Sequence, residues 1–187
     1  GQDHLDRATL LTDPDARAAL REGLDAHDLR ASALATHNNP LHPDEERATA
    51  ADTELREAIV LADRLDVGTV TCFSGLPAGG PNDEVPNWVT APWPGEHADA
   101  HEYQWEVATE YWQEVAKDAD EHGVNIAIEM HPNMLVYEPT GLLELRERTN
   151  ERIGANFDPS HLYWQGIEIT DAIRLLGDAI HHVHAKD

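Results

Sequence analysis

The sequence predicts an α/β fold, an incomplete (β/α)8 barrel, and three observations carry that prediction. Short apolar runs alternate with amphipathic helical segments along the chain, and regular βα alternation builds a parallel sheet. Three of the runs end in acidic or imidazole side chains: Asn125-Ile126-Ala127-Ile128-Glu129-Met130-His131-Pro132, Ile153-Gly154-Ala155-Asn156-Phe157-Asp158-Pro159-Ser160-His161 and Ile180-His181-His182-Val183-His184-Ala185-Lys186-Asp187. Only five runs are countable in 187 residues, whereas an eight-stranded barrel takes about 250 and rarely fewer than ~200. The expectation is one barrel domain over residues 1–187, without its first strand and its last two βα units.

The elements follow in order. The chain opens in what reads as a loop. Asp13-Pro14 then starts a helix running to about His27, with a side-chain acceptor at the cap and proline at the first helical position. Leu29 to Thr36 reads as a strand and leads into His37-Asn38-Asn39-Pro40. Asp44 opens a second helix, whose Ala51, Leu55, Ala58, Ile59, Ala62 and Leu65 keep helical spacing. Thr69 to Phe73 is the next strand. Ser74 to Ala100 is rich in Gly and Pro and carries Trp88, Trp93 and His97; a loop this long reads either as a functional lid over a pocket or as a surface Ω-loop packed on its own tryptophans. Trp105, Ala108, Trp112, Val115 and Ala119 then mark a helix whose tryptophans face the core. The Glu129 strand, a short helix near 141–148, the Asp158 strand, a helix near 170–176 and the His184 strand complete the series.

Composition narrows the partners. The net charge is −23, with 36 acidic against 13 basic residues spread over most of the chain. Such a surface repels nucleic acid phosphates and anionic lipid, so neither a nucleic acid nor a membrane partner is expected. A salt-adapted cytoplasm, where screening relieves the self-repulsion, accounts for the excess of acid. The single cysteine, Cys72, excludes an internal disulfide and lies in an apolar run, where a buried structural thiol is expected. No apolar stretch reaches the ~20 residues of a membrane-spanning helix. Strand edges left unpaired by an incomplete barrel predict association into a homo-oligomer or instability of the isolated chain.

The chemistry is read from strand alternation. Asn125, Ala127 and Glu129 share one face, Asn156 and Asp158 share another, and His182 and His184 a third. As parallel neighbours in a barrel, these strands bring Glu129, Asp158 and His184 to one mouth. Two carboxylates and an imidazole suit a divalent cation such as Mn²⁺, Co²⁺, Mg²⁺ or Zn²⁺. The competing roles are an ion pair for Glu129 and a turn cap for Asp158 before Pro159. His4, His42, His97, His101, His122, His181 and His182 are read as structural or exposed.

At His37-Asn38-Asn39-Pro40-Leu41-His42-Pro43, Ile128-Glu129-Met130-His131-Pro132, Phe157-Asp158-Pro159-Ser160-His161-Leu162 and His182-Val183-His184-Ala185-Lys186-Asp187, the sequence resembles the sugar phosphate isomerase/epimerase superfamily, the xylose isomerase-like TIM barrels. The resemblance implies a divalent metal held by Glu129, Asp158, His184 and a further glutamate on a later strand. It implies His161 beside the metal facing substrate, and His37 and Lys186 lining the pocket. The implied reaction is isomerisation or epimerisation of a sugar, sugar phosphate or related keto-polyol through a metal-held enediolate. Glu129, His161 and Lys186 are the expected catalytic groups; His37, His131, His161 and Trp88 are the expected substrate contacts. Close relatives dehydrate a keto-inositol on the same kind of site. A metal-dependent endonuclease at abasic DNA sites shares the barrel, but Phe73-Ser74 offers no histidine where that activity needs one, and the charge opposes DNA. A non-catalytic barrel fragment is the third reading.

Overall fold

The computed structural model describes residues 5–186; His4 lies outside them. Five strands, β1 (Leu34–Thr36), β2 (Thr69–Phe73), β3 (Asn125–Glu129), β4 (Ile153–Phe157) and β5 (Ile180–Val183), form one sheet in sequence order. Every neighbouring pair is parallel, as the βα alternation requires. Helices α1 (Arg7–Thr12) and α2 (Pro14–Asp25) precede β1. Helices α3 (Glu45–Leu65), α4 (Gly95–Glu121), α5 (Pro139–Arg148), and the pair α6 (Pro159–Tyr163) and α7 (Ile169–Leu176) fill the crossovers.

Three boundaries differ from the sequence prediction. The opening residues are not all loop: Asp6 caps α1 by accepting from Thr9 N at 3.1 Å and Thr9 Oγ1 at 2.7 Å. Six residues are too few to show a helical period. β1 is shorter than the apolar run 29–36, because β2 begins at Thr69 and Leu34 already pairs with Val70. Residues before Ala33, the position opposite Thr69, therefore find no ladder partner on β2. The Gly- and Pro-rich segment ends at Pro94, where α4 begins six residues before the predicted limit.

One face of each strand packs under the helices. Val70 and Cys72, Ile126 and Ile128, and Ile153, Ala155 and Phe157 join a single buried cluster with Leu55, Ile59, Trp112, Val115, Leu142 and Leu145. Trp105 and Trp112 are 5% and 0% exposed, so both tryptophans of α4 face the core as their spacing predicts. Cys72 is buried as well, and burial, aided by the nearby Glu129 charge, pushes its thiol pKa up. It is a packing residue.

The loops beyond the strand ends are latched to one another. Asn39 Nδ2 donates to Leu76 O at 2.9 Å, while Asn39 Oδ1 accepts from Leu76 N at 2.9 Å. Ser74 Oγ accepts from Val136 N at 3.0 Å, and Trp112 Nε1 donates to Ser74 O at 3.0 Å. Gly75 sits at φ +79°, and a Cβ there would lie 2.9 Å from both Asn39 Oδ1 and Leu41 Cγ. Only glycine tolerates both that conformation and that approach. These bonds satisfy buried polar groups and hold the loops after β1, β2 and β3 as a fixed rim.

Candidate metal centre

The second face of the sheet builds the site. Across the ladder, Phe73 pairs with Glu129, Glu129 with Asn156, and Asn156 with His182. The register between β4 and β5 shifts at Ala155/Asn156, so that Ala155 pairs with Ile180 but Asn156 with His182. A bulge of this kind re-aims side chains. Without it His181 would stand opposite Asn156; with it, His182 meets Asn156 and His184 faces the carboxylates. Gly154 makes room, since a Cβ there would lie 2.4 Å from Ala179 O and 2.5 Å from the His181 ring.

Glu129 is 5% exposed and Asp158 is 1% exposed, yet both are surrounded by positive or donating groups. His37 Nε2 lies 3.0 Å from Glu129 Oε2, and His161 Nε2 lies 3.1 Å from Glu129 Oε1. His184 Nδ1 lies 3.6 Å from Glu129 Oε1 and 3.4 Å from Asp158 Oδ2. His161 Nε2 is 3.6 Å from Asp158 Oδ2, and Lys186 Nζ pairs with that same oxygen. Asp158 divides its work between its two oxygens. Oδ1 caps α6, accepting from Ser160 N at 3.0 Å and Ser160 Oγ at 2.6 Å, while Oδ2 faces the cluster. The turn-cap role and a ligand role are thus compatible on one side chain.

Electrostatics keep both carboxylates ionised. Burial pushes the Glu129 pKa upward, but the His37 hydrogen bond and the charges of His184, His37 and His161 outweigh it and hold it below the usual range. For Asp158 burial again pushes upward, but the Lys186 and Ser160 bonds prevail and set it at about 2. Burial, then the neighbouring His131, pushes the His161 pKa down against the opposing pull of Asp158 and Glu129.

The donor set fits a divalent cation. The Glu129, Asp158 and His161 donor atoms all lie within 4.8 Å of one another, and His184 Nδ1 is as near to Asp158 Oδ2 as His161 Nε2 is. Donors that each sit ~2.1 Å from a shared ion lie no more than ~4.2 Å apart, and the imidazole–carboxylate separations of 3.1–3.6 Å meet that limit. Of the two imidazoles, His184 has its other nitrogen in contact with Asn156 Nδ2 at 3.1 Å, whereas a ligating histidine donates from that nitrogen to an acceptor.

The other predicted residues are placed around this centre. His131 stacks edge-on to His161, with ring centroids 4.3 Å apart, and lies 4.8 Å from the Phe73 ring. Trp88 packs edge-on against Tyr137 at 5.3 Å; Gln165 Nε2 in turn donates to Tyr137 O and His161 O. His181 is turned away from the mouth, against Gly154. His122 pairs with Asp63, and His101 accepts from Trp105 Nε1 at 3.1 Å. Sequence reasoning placed Asn156 on the Asp158 face but gave it no role in the site. Structure shows it spanning Glu129, His182 and His184, and its two-residue offset from Asp158 was the available signal.

Comparison with known proteins agrees with this architecture. The family model for xylose isomerase-like TIM barrels matches residues 3–187. The chain is 42% identical over 188 residues to the uncharacterized protein YfiH of Bacillus subtilis (strain 168), an alignment covering 98% of this chain and 60% of that protein. Among solved structures, the 3-keto-D-glucoside 4-epimerase YcjR of E. coli superposes with a TM-score of 0.72 at 10% identity, covering 97% of this chain and 67% of that one. The IOLI protein, solved with a zinc atom bound, superposes with a TM-score of 0.64 at 17% identity, covering 98% and 57%. This chain therefore spans about 60% of the length of YfiH. Five parallel strands in sequence order, with a family match over nearly every residue, make this chain a member of the xylose isomerase-like TIM-barrel family.

Proposed function

We propose that this chain carries the metal and proton-transfer site of an isomerase or epimerase acting on a sugar, sugar phosphate or related keto-polyol. The observation that carries the reading is Glu129: a buried carboxylate with three imidazole nitrogens within 3.6 Å and a second buried carboxylate beside them. Glu129, Asp158 and His184 are the residues that would hold the ion. The epimerase and zinc-bound neighbours support the reading through the shared fold. Bound there, Mn²⁺, Co²⁺, Mg²⁺ or Zn²⁺ supplies Lewis-acid polarisation of a hydroxy-carbonyl pair.

The protein groups divide the remaining work. Glu129, held ionised, takes the proton from the carbon beside the carbonyl, and the C–H electron pair moves toward the carbonyl oxygen to give an enediolate. His37 must swing aside from Glu129 Oε2 for that oxygen to act, and its side chain is 31% exposed, enough to leave. His161 Nε2 and the Lys186 ammonium donate to the developing oxyanion. Return of the proton to the neighbouring carbon gives an isomer; return to the opposite face of the same carbon needs a second acid and gives an epimer. Proton transfer of this kind contributes roughly 10²–10⁴-fold to a rate. His131 and Trp88 line the approach to this chemistry. A substrate of this class is a small molecule. No helix among the described residues is long and apolar enough to cross a membrane.

The test is solvent exchange. Ketoses, their phosphates and keto-inositols are incubated in D₂O with the protein and Mn²⁺ or Co²⁺, and proton NMR follows the hydrogen next to the carbonyl. Exchange that falls at least 10²-fold in Glu129→Gln is expected. An unsaturated product without return of the proton would assign dehydration to the site instead. A metal-loaded protein that exchanges none of these substrates would overturn the proposal.

A further inference from the structure

We propose that Asn156 and His182 are positioning residues for the His184 ring, through an amide rotation and a tautomer exchange coupled to ion binding. The proposal rests on the metal reading given above. Four side chains lie in one hydrogen-bonded line: Ser32 Oγ to His182 Nε2 at 3.2 Å, His182 Nδ1 to Asn156 Oδ1 at 2.9 Å, and Asn156 Nδ2 to His184 Nε2 at 3.1 Å. The far nitrogen of the last ring, His184 Nδ1, faces the two carboxylates. Asn156 is 0% exposed, so its amide groups must find partners within the protein.

A neutral imidazole has one N–H and one lone pair, so the line fixes every proton in it. With the Asn156 amide nitrogen donating to His184 Nε2, the His184 proton sits on Nδ1. With Asn156 Oδ1 accepting, the His182 proton sits on Nδ1, and Ser32 donates to His182 Nε2. This arrangement excludes a cation, because a ligating Nδ1 must present its lone pair. Moving the His184 proton to Nε2 would then set two donors against each other at Asn156.

Rotating the Asn156 amide by half a turn removes the conflict. Its oxygen then accepts from His184 Nε2–H, and its nitrogen donates to His182 Nδ1. The His182 proton must move to Nε2, where it donates to the Ser32 hydroxyl. Every bond in the line survives with its direction reversed, and no net proton is gained or lost. One contact opposes the rotation: Asn156 Nδ2 lies 3.5 Å from Glu129 Oε2, and an oxygen would replace that nitrogen. A cation drawing on the Glu129 charge offsets the repulsion. Asparagine suits the position because its amide offers a donor and an acceptor on one planar group, so it serves both states.

Zn²⁺ titration of ¹⁵N-labelled protein tests this, with the histidine nitrogens followed by NMR and affinity by calorimetry. In the wild type the protonated nitrogen of His182 should change from Nδ1 to Nε2 on saturation. Asn156→Leu should weaken Zn²⁺ binding by roughly 10–100-fold. Asn156→Asp, an acceptor toward both rings, should keep binding while His182 stays protonated on Nδ1 throughout. Wild-type protein that binds Zn²⁺ with the His182 proton unmoved overturns this proposal and leaves the metal reading standing. So does an Asn156→Leu variant that folds and binds within twofold of wild type. Folded wild-type protein that takes up no Zn²⁺ overturns both.

Discussion

Ile128 and Glu129 are adjacent in the chain and almost equally buried, at 0% and 5% exposure, yet they serve opposite faces of one sheet. Ile128 joins Cys72 and Ala155 in the row beneath the helices, while Glu129 joins Phe73 and Asn156 in the row that opens on the carboxylate cluster. The helix-side face is apolar except at Thr36, beside Cys72, and stabilises the fold by removing carbon from water. The other face holds buried charges, whose desolvation costs free energy unless close partners compensate. A face that holds its charges in water-poor surroundings can use them on a substrate, because the rigid apolar layer one residue away keeps the strands in register.

That contrast can be broken from either side. The largest loss is expected for Ile126→Ala on the helix-side face, about 2–5 kcal/mol, read from urea unfolding midpoints. Glu129→Gln should shift the midpoint less while removing the exchange activity; equal stability losses from both would deny the division of labour. Gly154→Ala comes next, at about 1–3 kcal/mol, because its new methyl would press on Ala179 O and the His181 ring. It should also displace β5 and lower metal affinity, which a variant on the opposite face at similar stability would not do.

A smaller effect tests the bulge through pH. Burial, and then the charge of Arg146, holds the His181 pKa below its ordinary 6.5, so the folded protein keeps this ring neutral. The unfolded chain gains a proton near pH 6.5 that the folded chain refuses. The stabilisation is therefore complete above that value and is lost as pH falls below it. Between pH 7.5 and 5.5 the wild type should lose more unfolding free energy than His181→Gln. Asp158 does not confuse this window, since its contribution, with a folded pKa of about 2 against an ordinary 3.8, is lost only at lower pH.

How much of this was legible in the sequence follows from the range of the interactions. Strand order, helix faces and the clustering of Glu129, Asp158 and His184 rest on period-two alternation and the position of strand ends, which are local. The place of Asn156 in the line from Ser32 to His184 was not legible, because Ser32 and His182 stand 150 residues apart and meet only through tertiary structure. Nor was the shift at Ala155/Asn156, because a bulge is decided by both strands together. Alternation already separates His181 from His184 in the run 180–187, but the register decides that His181 packs on Gly154. The latch between Asn39 and Leu76 hides in a motif that resembled a pocket wall and turns out to hold two loops together.

Calorimetric titration with Mn²⁺, Co²⁺ and Zn²⁺ in high salt, of wild type beside a Glu129→Ala, Asp158→Ala double variant, tests the central claim most directly. One ion bound per wild-type chain, with binding lost in a double variant that remains folded, is the predicted result. Folded wild-type protein that binds no ion, or a double variant that binds as tightly as wild type, would contradict a metal centre at these residues.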